Sequence, residues 1–393
     1  MKHKQKMVTG SFVLLFAVSV AICTAMNMLN VIVPLYVTET LNGTAATAGL
    51  MTTIYTISAC ASRPINGALT DRWNRRLMMV LGSLIFCIGC FTAGAVPSIL
   101  VLTISRILMG VGYSAASTAN NTASTDVIPV DRMAEGIGYF GMSQSVASAI
   151  GPAIASATML AVGNQVSLYI VALFCVLALV LSALVSYERK PGYLKPQPQS
   201  QEKSSGGFFE KTAIVPALFQ GVFLFIISLP MCFMPLYIVY RGQSAAVAGS
   251  FFVVASIVIV AVRLLGSNLM NRLHALWFLI PGFAALAALC ISLPLVNTVM
   301  GFMVCGVIYG LAHGIIWMVL GSEAVRQAPA DRRGAANATF YFAFDAGIGL
   351  GASFWGAMID NIGYEKCFVA IIAAAAVLAL VSVPVFRRRS NRA

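Results

Sequence analysis

The chain has 393 residues, 59% of them hydrophobic and 10% charged, with a mean hydropathy of +0.87. A soluble domain carries about 25% charged residues, so the composition excludes a solvated globule and points to an all-α membrane protein. The net charge of +12 would suggest nucleic acid in a soluble protein. Here the charges fall in short loops between apolar runs, so they read as orientation signals in a lipid bilayer, with no nucleic-acid partner expected.

Lys2, Lys4 and Lys6 precede an apolar run from Ser11 to Val37, which is too long for a signal-peptide core and reads as a first span. A crossing takes about 20 residues. Further spans are predicted near Ala46–Leu69, Leu77–Val96, Ile99–Ala123, Ala134–Val162 and Val166–Tyr187. A second set is predicted near Thr212–Tyr240, Ala245–Gly266, Leu276–Leu293, Thr298–Ser322, Gly334–Ile359 and Cys367–Phe386. The runs are continuous rather than alternating, which excludes strand-based spanning. The expected organisation is a six-helix half over 1–187, a linker over 188–211 and a six-helix half over 212–393. The linker carries Pro191, Pro196, Pro198 and Gly206-Gly207, signals of irregular chain.

Of 25 Lys and Arg, Arg63, Arg106 and Arg263 fall within or at the edge of spans, and Arg241 and Lys366 in loops of the side opposite the termini. The rest share the side of the termini and linker, which places that side in the cytoplasm, with a bacterial inner membrane as the expected location. The nine cysteines lie almost all in apolar runs and read as packing residues. Cys87-Ile88-Gly89-Cys90 has no second pair, so no metal or cofactor is expected.

The halves match at an offset near 200 residues. Gly110 corresponds to Gly310, Pro129 to Pro329, Asp131-Arg132 to Asp331-Arg332 and Gly151 to Gly351. A parallel repeat of this kind supports alternating access around a site at the repeat interface. Residues kept in both halves read as scaffold, and polar residues present in one half only as candidates for function.

After the second span comes Gly67-Ala68-Leu69-Thr70-Asp71-Arg72-Trp73-Asn74-Arg75-Arg76. This resembles the cytoplasmic Gly-x-Leu-x-Asp-Arg-x-Gly-Arg-Arg signature of the major facilitator superfamily. Span count, linker, repeat and orientation extend the resemblance over the whole chain and imply the twelve-helix fold of that superfamily. Asn74 replaces the second Gly and tolerates a left-handed backbone. Gly67 is expected to permit close helix approach. The resemblance places Asp71 against the start of the eleventh helix near Gly334, as part of an inner gate. Arg72, Arg75 and Arg76 are expected to pair with carboxylates, Asp126 among them. The plainer alternative is a positive-inside anchor.

Arg106 with Met109-Gly110-Val111-Gly112 resembles the superfamily's fourth-span Arg-x-x-x-Gly-x-Gly pattern, which ties the Arg to proton movement or substrate binding. A charge in a span costs about 2.5–3.5 kcal/mol on insertion scales, and the repeat partner is Gly306, so the scaffold does not require it. An outward-snorkelling arginine is the alternative. In the fifth span Gly138, Ala147, Gly151-Pro152, Ala155 and Ser156 resemble the antiporter signature of the drug-efflux branches. Small residues there allow tight packing against the other half.

Asp345 lies about 16 Å into the eleventh span at 1.5 Å per residue, and its repeat partner is Ser145. A carboxyl at that depth is a candidate proton carrier. Asn27 and Asn30 share nearly one face of the first span. Together with Gln144 and His313 they are candidate cavity residues, with helix–helix hydrogen bonding as the alternative for each. Aromatic residues including Tyr309, Trp317, Phe340, Tyr341 and Phe344 would suit an apolar or aromatic substrate.

No phosphate-binding loop of the Gly-x4-Gly-Lys type and no catalytic constellation is present. The expected function is therefore not enzymatic. It is secondary active export of a small organic molecule by proton antiport, by a monomer, as in the multidrug-resistance group. The alternative is a symporter or facilitator for a nutrient such as a sugar or organic acid.

Overall fold

A computed structural model describes residues 9–128, 133–186, 210–244, 246–270, 275–326, 328 and 333–390. The linker and the repeat pairs Pro129/Pro329 and Asp131-Arg132/Asp331-Arg332 lie, apart from Glu210 and Lys211, outside these residues. The described chain forms eleven helices. They are α1 (Gly10–Leu35, extended by a π-helical turn Tyr36–Thr40), α2 (Ala45–Arg72), α3 (Arg75–Ala95), α4 (Ile99–Val127), α5 (Met133–Leu184), α6 (Lys211–Tyr240), α7 (Ala246–Met270), α8 (Leu276–Ser292), α9 (Val299–Arg326), α10 (Arg333–Ile362) and α11 (Tyr364–Ser390).

Ten stretches among the described residues are long and apolar enough to cross a membrane. One of them, Tyr139–Leu184, spans 46 residues. It is interrupted at Gly163, where φ is 81° and ψ 169°, between the predicted fifth and sixth spans. Each arm of α5 reaches the ~20 residues that a crossing takes. Gly363, at φ 80°, likewise separates α10 from α11, its N–H bonded 2.9 Å to the Ile359 carbonyl. Asn74 is not left-handed. Its φ of −79° and ψ of 131° are extended, and its side chain accepts the Leu77 N–H at 3.3 Å as the N-cap of α3.

The chain forms two compact units, one of residues 1–32 and 57–204, the other of residues 33–56 and 205–393. In the first, α3 and α4 approach at Gly82 and Gly112, where an added Cβ on either would collide with the facing backbone. The second Gly of the Arg-x-x-x-Gly-x-Gly pattern is therefore a packing residue. The nine cysteines are free thiols, seven of them buried.

In the second unit, Gly306, Gly310 and Gly314 recur every four residues on α9 and abut α7 at Phe251, Ala255 and Ile259. Gly347 meets Gly221 of α6, and the Trp355 indole donates to the Phe225 carbonyl at 2.7 Å. The first part of α2 also packs here. Gly49 faces Ala352 and Gly356 faces Ala45, while Thr53 Oγ1 lies 2.7 Å from Ser353 Oγ. Small residues let the two backbones meet, and the hydroxyls then bond across the contact.

Candidate functional site

In the first unit the Arg106 guanidinium is 1% exposed, with Nη1 3.8 Å from the Met109 sulfur. Burial of this kind excludes a snorkelling side chain. Polar groups of the same unit bond across helices: Ser19 Oγ to Ser143 Oγ at 2.7 Å, Asn120 Nδ2 to the Leu15 carbonyl at 3.3 Å, and Asn66 Nδ2 to Ser114 Oγ at 3.1 Å. Asn27 donates to the Cys23 carbonyl of its own helix at 2.8 Å, and Asn30 toward the Met26 sulfur at 3.9 Å. Gln144 is exposed.

The fifth-span motif packs differently from the expectation. A Cβ on Gly151 would meet Asn27 Cβ at 2.7 Å and the Thr24 carbonyl at 3.1 Å, so the observed neighbour is α1 of the same unit, next to the candidate Asn27. Pro152 lies inside α5 and removes one helical hydrogen bond there. Gly138 lies outside the described side-chain positions.

Between the start of α3 and the end of α4, Arg75 Nε and Asp126 Oδ2 lie 3.0 Å apart, with the two side chains 5% and 7% exposed. Arg75 also donates to the Thr70 carbonyl at 3.4 Å, and Arg76 to the Ala183 carbonyl. The side chains of Asp71 and Arg72 lie outside the described residues. No described residue comes within 4 Å of a Cβ built on Gly67.

The second unit gathers the aromatic candidates. Tyr309, His313 and Trp317 stand one turn apart on one face of α9. Tyr309 and His313 stack at 5.8 Å and 10°, and His313 meets the Trp317 ring edge-on at 5.3 Å. Trp317 continues to Phe344 at 4.7 Å, and Phe223 approaches His313 at 6.1 Å. The Arg263 guanidinium of α7 sits 5.5 Å from the Trp317 ring centroid, within cation–π range. Beside it lies a cavity of about 290 Å³ bounded by α7, α9 and α10. Asp345, the residue after Phe344 on α10, is 8% exposed.

Two of these features escaped sequence reasoning. The sequence marks Arg263 only as a charge within or at the edge of a span, not as a site residue. Gln220 on α6 is fully buried, with neither amide atom hydrogen-bonded; a lone amide inside an apolar run was the available signal.

The sequence profile described as Major Facilitator Superfamily matches residues 15–352. The chain belongs to the Major Facilitator Superfamily. Among curated proteins it is 28% identical over 188 residues to multidrug resistance protein 1 of Bacillus subtilis, covering 48% of the chain and 46% of that relative. The chain thus spans about half the length of that relative. It is 21% identical over 379 residues to the staphylopine export protein of Staphylococcus aureus, covering 91% of each. Among solved structures, the nucleoside transporter NupG superposes with a TM-score of 0.80 at 13% identity, covering 95% of this chain and 98% of that one. That likeness concerns the fold alone, which is all-helical.

Proposed function

We propose that the chain exports a small organic molecule in exchange for protons, by alternating access of its two halves. Both termini lie in the cytoplasm and the working form is a monomer. The observation that carries the reading is that two buried ionisable groups deep within the predicted spans have no ionisable repeat counterpart. Arg106 lies opposite Gly306, and Asp345 opposite Ser145. A buried charge is expensive in a span and persists where a moving ion or substrate uses it. In this reading Asp345 carries the proton, and the aromatic face of α9 takes the apolar part of the substrate. Export, rather than uptake, is supported by the two relatives named for resistance and export.

The test uses everted vesicles holding an imposed pH gradient. A transported compound should dissipate the gradient, and Asp345→Asn should abolish that effect. A compound that crosses with no proton movement would make the chain a facilitator and leave Asp345 a structural residue.

A further inference from the structure

Three helices of the second unit meet around polar groups that the protein itself leaves unused. Gln220 on α6 is fully buried, and neither its amide oxygen nor its amide nitrogen has a hydrogen-bond partner among the described residues. His313 Nδ1 on α9 is likewise buried and unpartnered among them. The Phe223 ring, three residues after Gln220, approaches the imidazole at 6.1 Å. Gly221, the next residue of α6, meets Ala343 and Gly347 of α10. At about 100° per residue, Gln220 falls between the edge of α6 that faces α9 and the edge that faces α10. Phe344 joins α10 to α9 through Trp317, ring to ring at 4.7 Å. Trp317 meets His313 at 5.3 Å and also walls the cavity of about 290 Å³.

We propose that this junction is a hydrogen-bonding subsite for a neutral aromatic carboxamide or lactam. A buried polar atom without a partner is costly, and native proteins keep few of them. A ligand that supplies the missing partners removes that cost. The Gln220 amide offers a donor and an acceptor side by side, the complement of a ligand N–H and C=O on one edge. His313 Nδ1 holds a second polar atom of that edge, and the Phe223, Trp317 and Phe344 rings take the ligand's ring. A neutral edge fits because it satisfies both atoms of Gln220 and brings no charge into a buried place. The junction is closed over in this structure, and it fills from the adjoining cavity when the Trp317 ring turns aside. The proposal rests on the exporter reading and narrows it to substrates with a neutral hydrogen-bonding edge beside an aromatic ring.

The experiment is equilibrium dialysis of the full chain in phosphatidylcholine nanodiscs, with partition into protein-free nanodiscs subtracted. Three probes of one shape are compared: 2-naphthamide, 2-acetylnaphthalene, which lacks the N–H, and 2-isopropenylnaphthalene, which lacks both polar groups. Affinity should fall in that order, by about 2- to 13-fold for each hydrogen bond lost. Gln220→Leu should remove most of the preference with the thermal midpoint of the empty protein no lower. His313→Phe keeps a ring and should reduce the naphthamide advantage. His313→Asn sets an amide atom near the Nδ1 position and should restore part of it. If Gln220→Leu does not fold, the two His313 variants carry the test.

Equal affinities for the three probes, or a preference that survives both Gln220→Leu and His313→Phe, would overturn the proposal. So would a marked drop in the midpoint of Gln220→Leu with the preference intact, since an internal water would then hold the amide. The pH-gradient assay separates the subsite from the exporter reading. If the preference holds while no compound of any class dissipates the gradient, the exporter reading fails and the subsite stands. If compounds dissipate the gradient, and Gln220→Leu and His313→Phe change neither the rate nor the range of compounds, the subsite fails and the exporter stands.

Discussion

The Asp360 carboxylate at the end of α10 accepts the Ala45 N–H at 3.1 Å, and that of Ala46 at 2.8 Å, so one side chain caps the first turn of α2. Caps of this kind contribute about 0.5–2 kcal/mol, and a negative charge at a helix N-terminus adds to that. Asp360→Ala should speed amide exchange at Ala45 and Ala46 by about 2- to 30-fold, read by hydrogen–deuterium exchange. Asp360→Asn keeps the acceptor and loses only the charge, so it should fall between. Unaltered exchange in Asp360→Ala would mean that the glycine contacts alone hold the start of α2.

Two glycines of α2 should respond oppositely to one added methyl group. At Gly49 the methyl runs into the Ala352 carbonyl, a backbone atom that moves only if α2 and α10 separate. Overpacking costs about 1–3 kcal/mol, so Gly49→Ala should lower the thermal midpoint in detergent. At Gly67 no described residue lies within 4 Å, and Ala is favoured over Gly in a helix by about 1 kcal/mol. Gly67→Ala should leave the midpoint unchanged or raise it. Equal losses at both sites would contradict the packing described.

The all-helical membrane fold was legible because lipid imposes a length and a composition on every crossing. Helix interfaces were legible where glycines recur every four residues, as on α9. What the pattern could not supply was direction. Gly151 was expected to face the other half and meets α1 of its own unit, because a run of small residues says that something packs closely without saying what. The aromatic candidates were named from composition, but only the fold puts Tyr309, His313 and Trp317 on one face with Arg263 over the last ring. The sequence marks Arg263 only as a charge at a span, because its aromatic neighbour Trp317 lies on another helix, 54 residues away in the chain.

Gln220 should tolerate an apolar replacement. Both its amide atoms are buried without a hydrogen bond, and an unsatisfied buried polar group costs about 1–3 kcal/mol. Gln220→Leu, close in volume, should therefore raise the thermal midpoint or leave it unchanged. A marked drop would mean that an internal water or a substrate group satisfies the amide, and a parallel loss of transport would favour the substrate.

Arg75 and Asp126 offer a test of coupling rather than of a single residue. Both side chains are nearly inaccessible, and their charged atoms lie 3.0 Å apart. Removing one partner of a buried pair strands the other charge and costs about 3–5 kcal/mol, whereas replacing both with apolar groups is often near neutral. Arg75→Met and Asp126→Leu should each lower the thermal midpoint sharply. The double variant should recover most of the loss, which a double-mutant cycle reads as a large interaction energy. Additive losses would mean that Arg75 is held chiefly by the Thr70 carbonyl at 3.4 Å. Transport adds a second readout. If the pair is a latch that opens during the cycle, the stable double variant should transport at an altered rate, whereas a purely structural pair would leave the rate at the wild-type value.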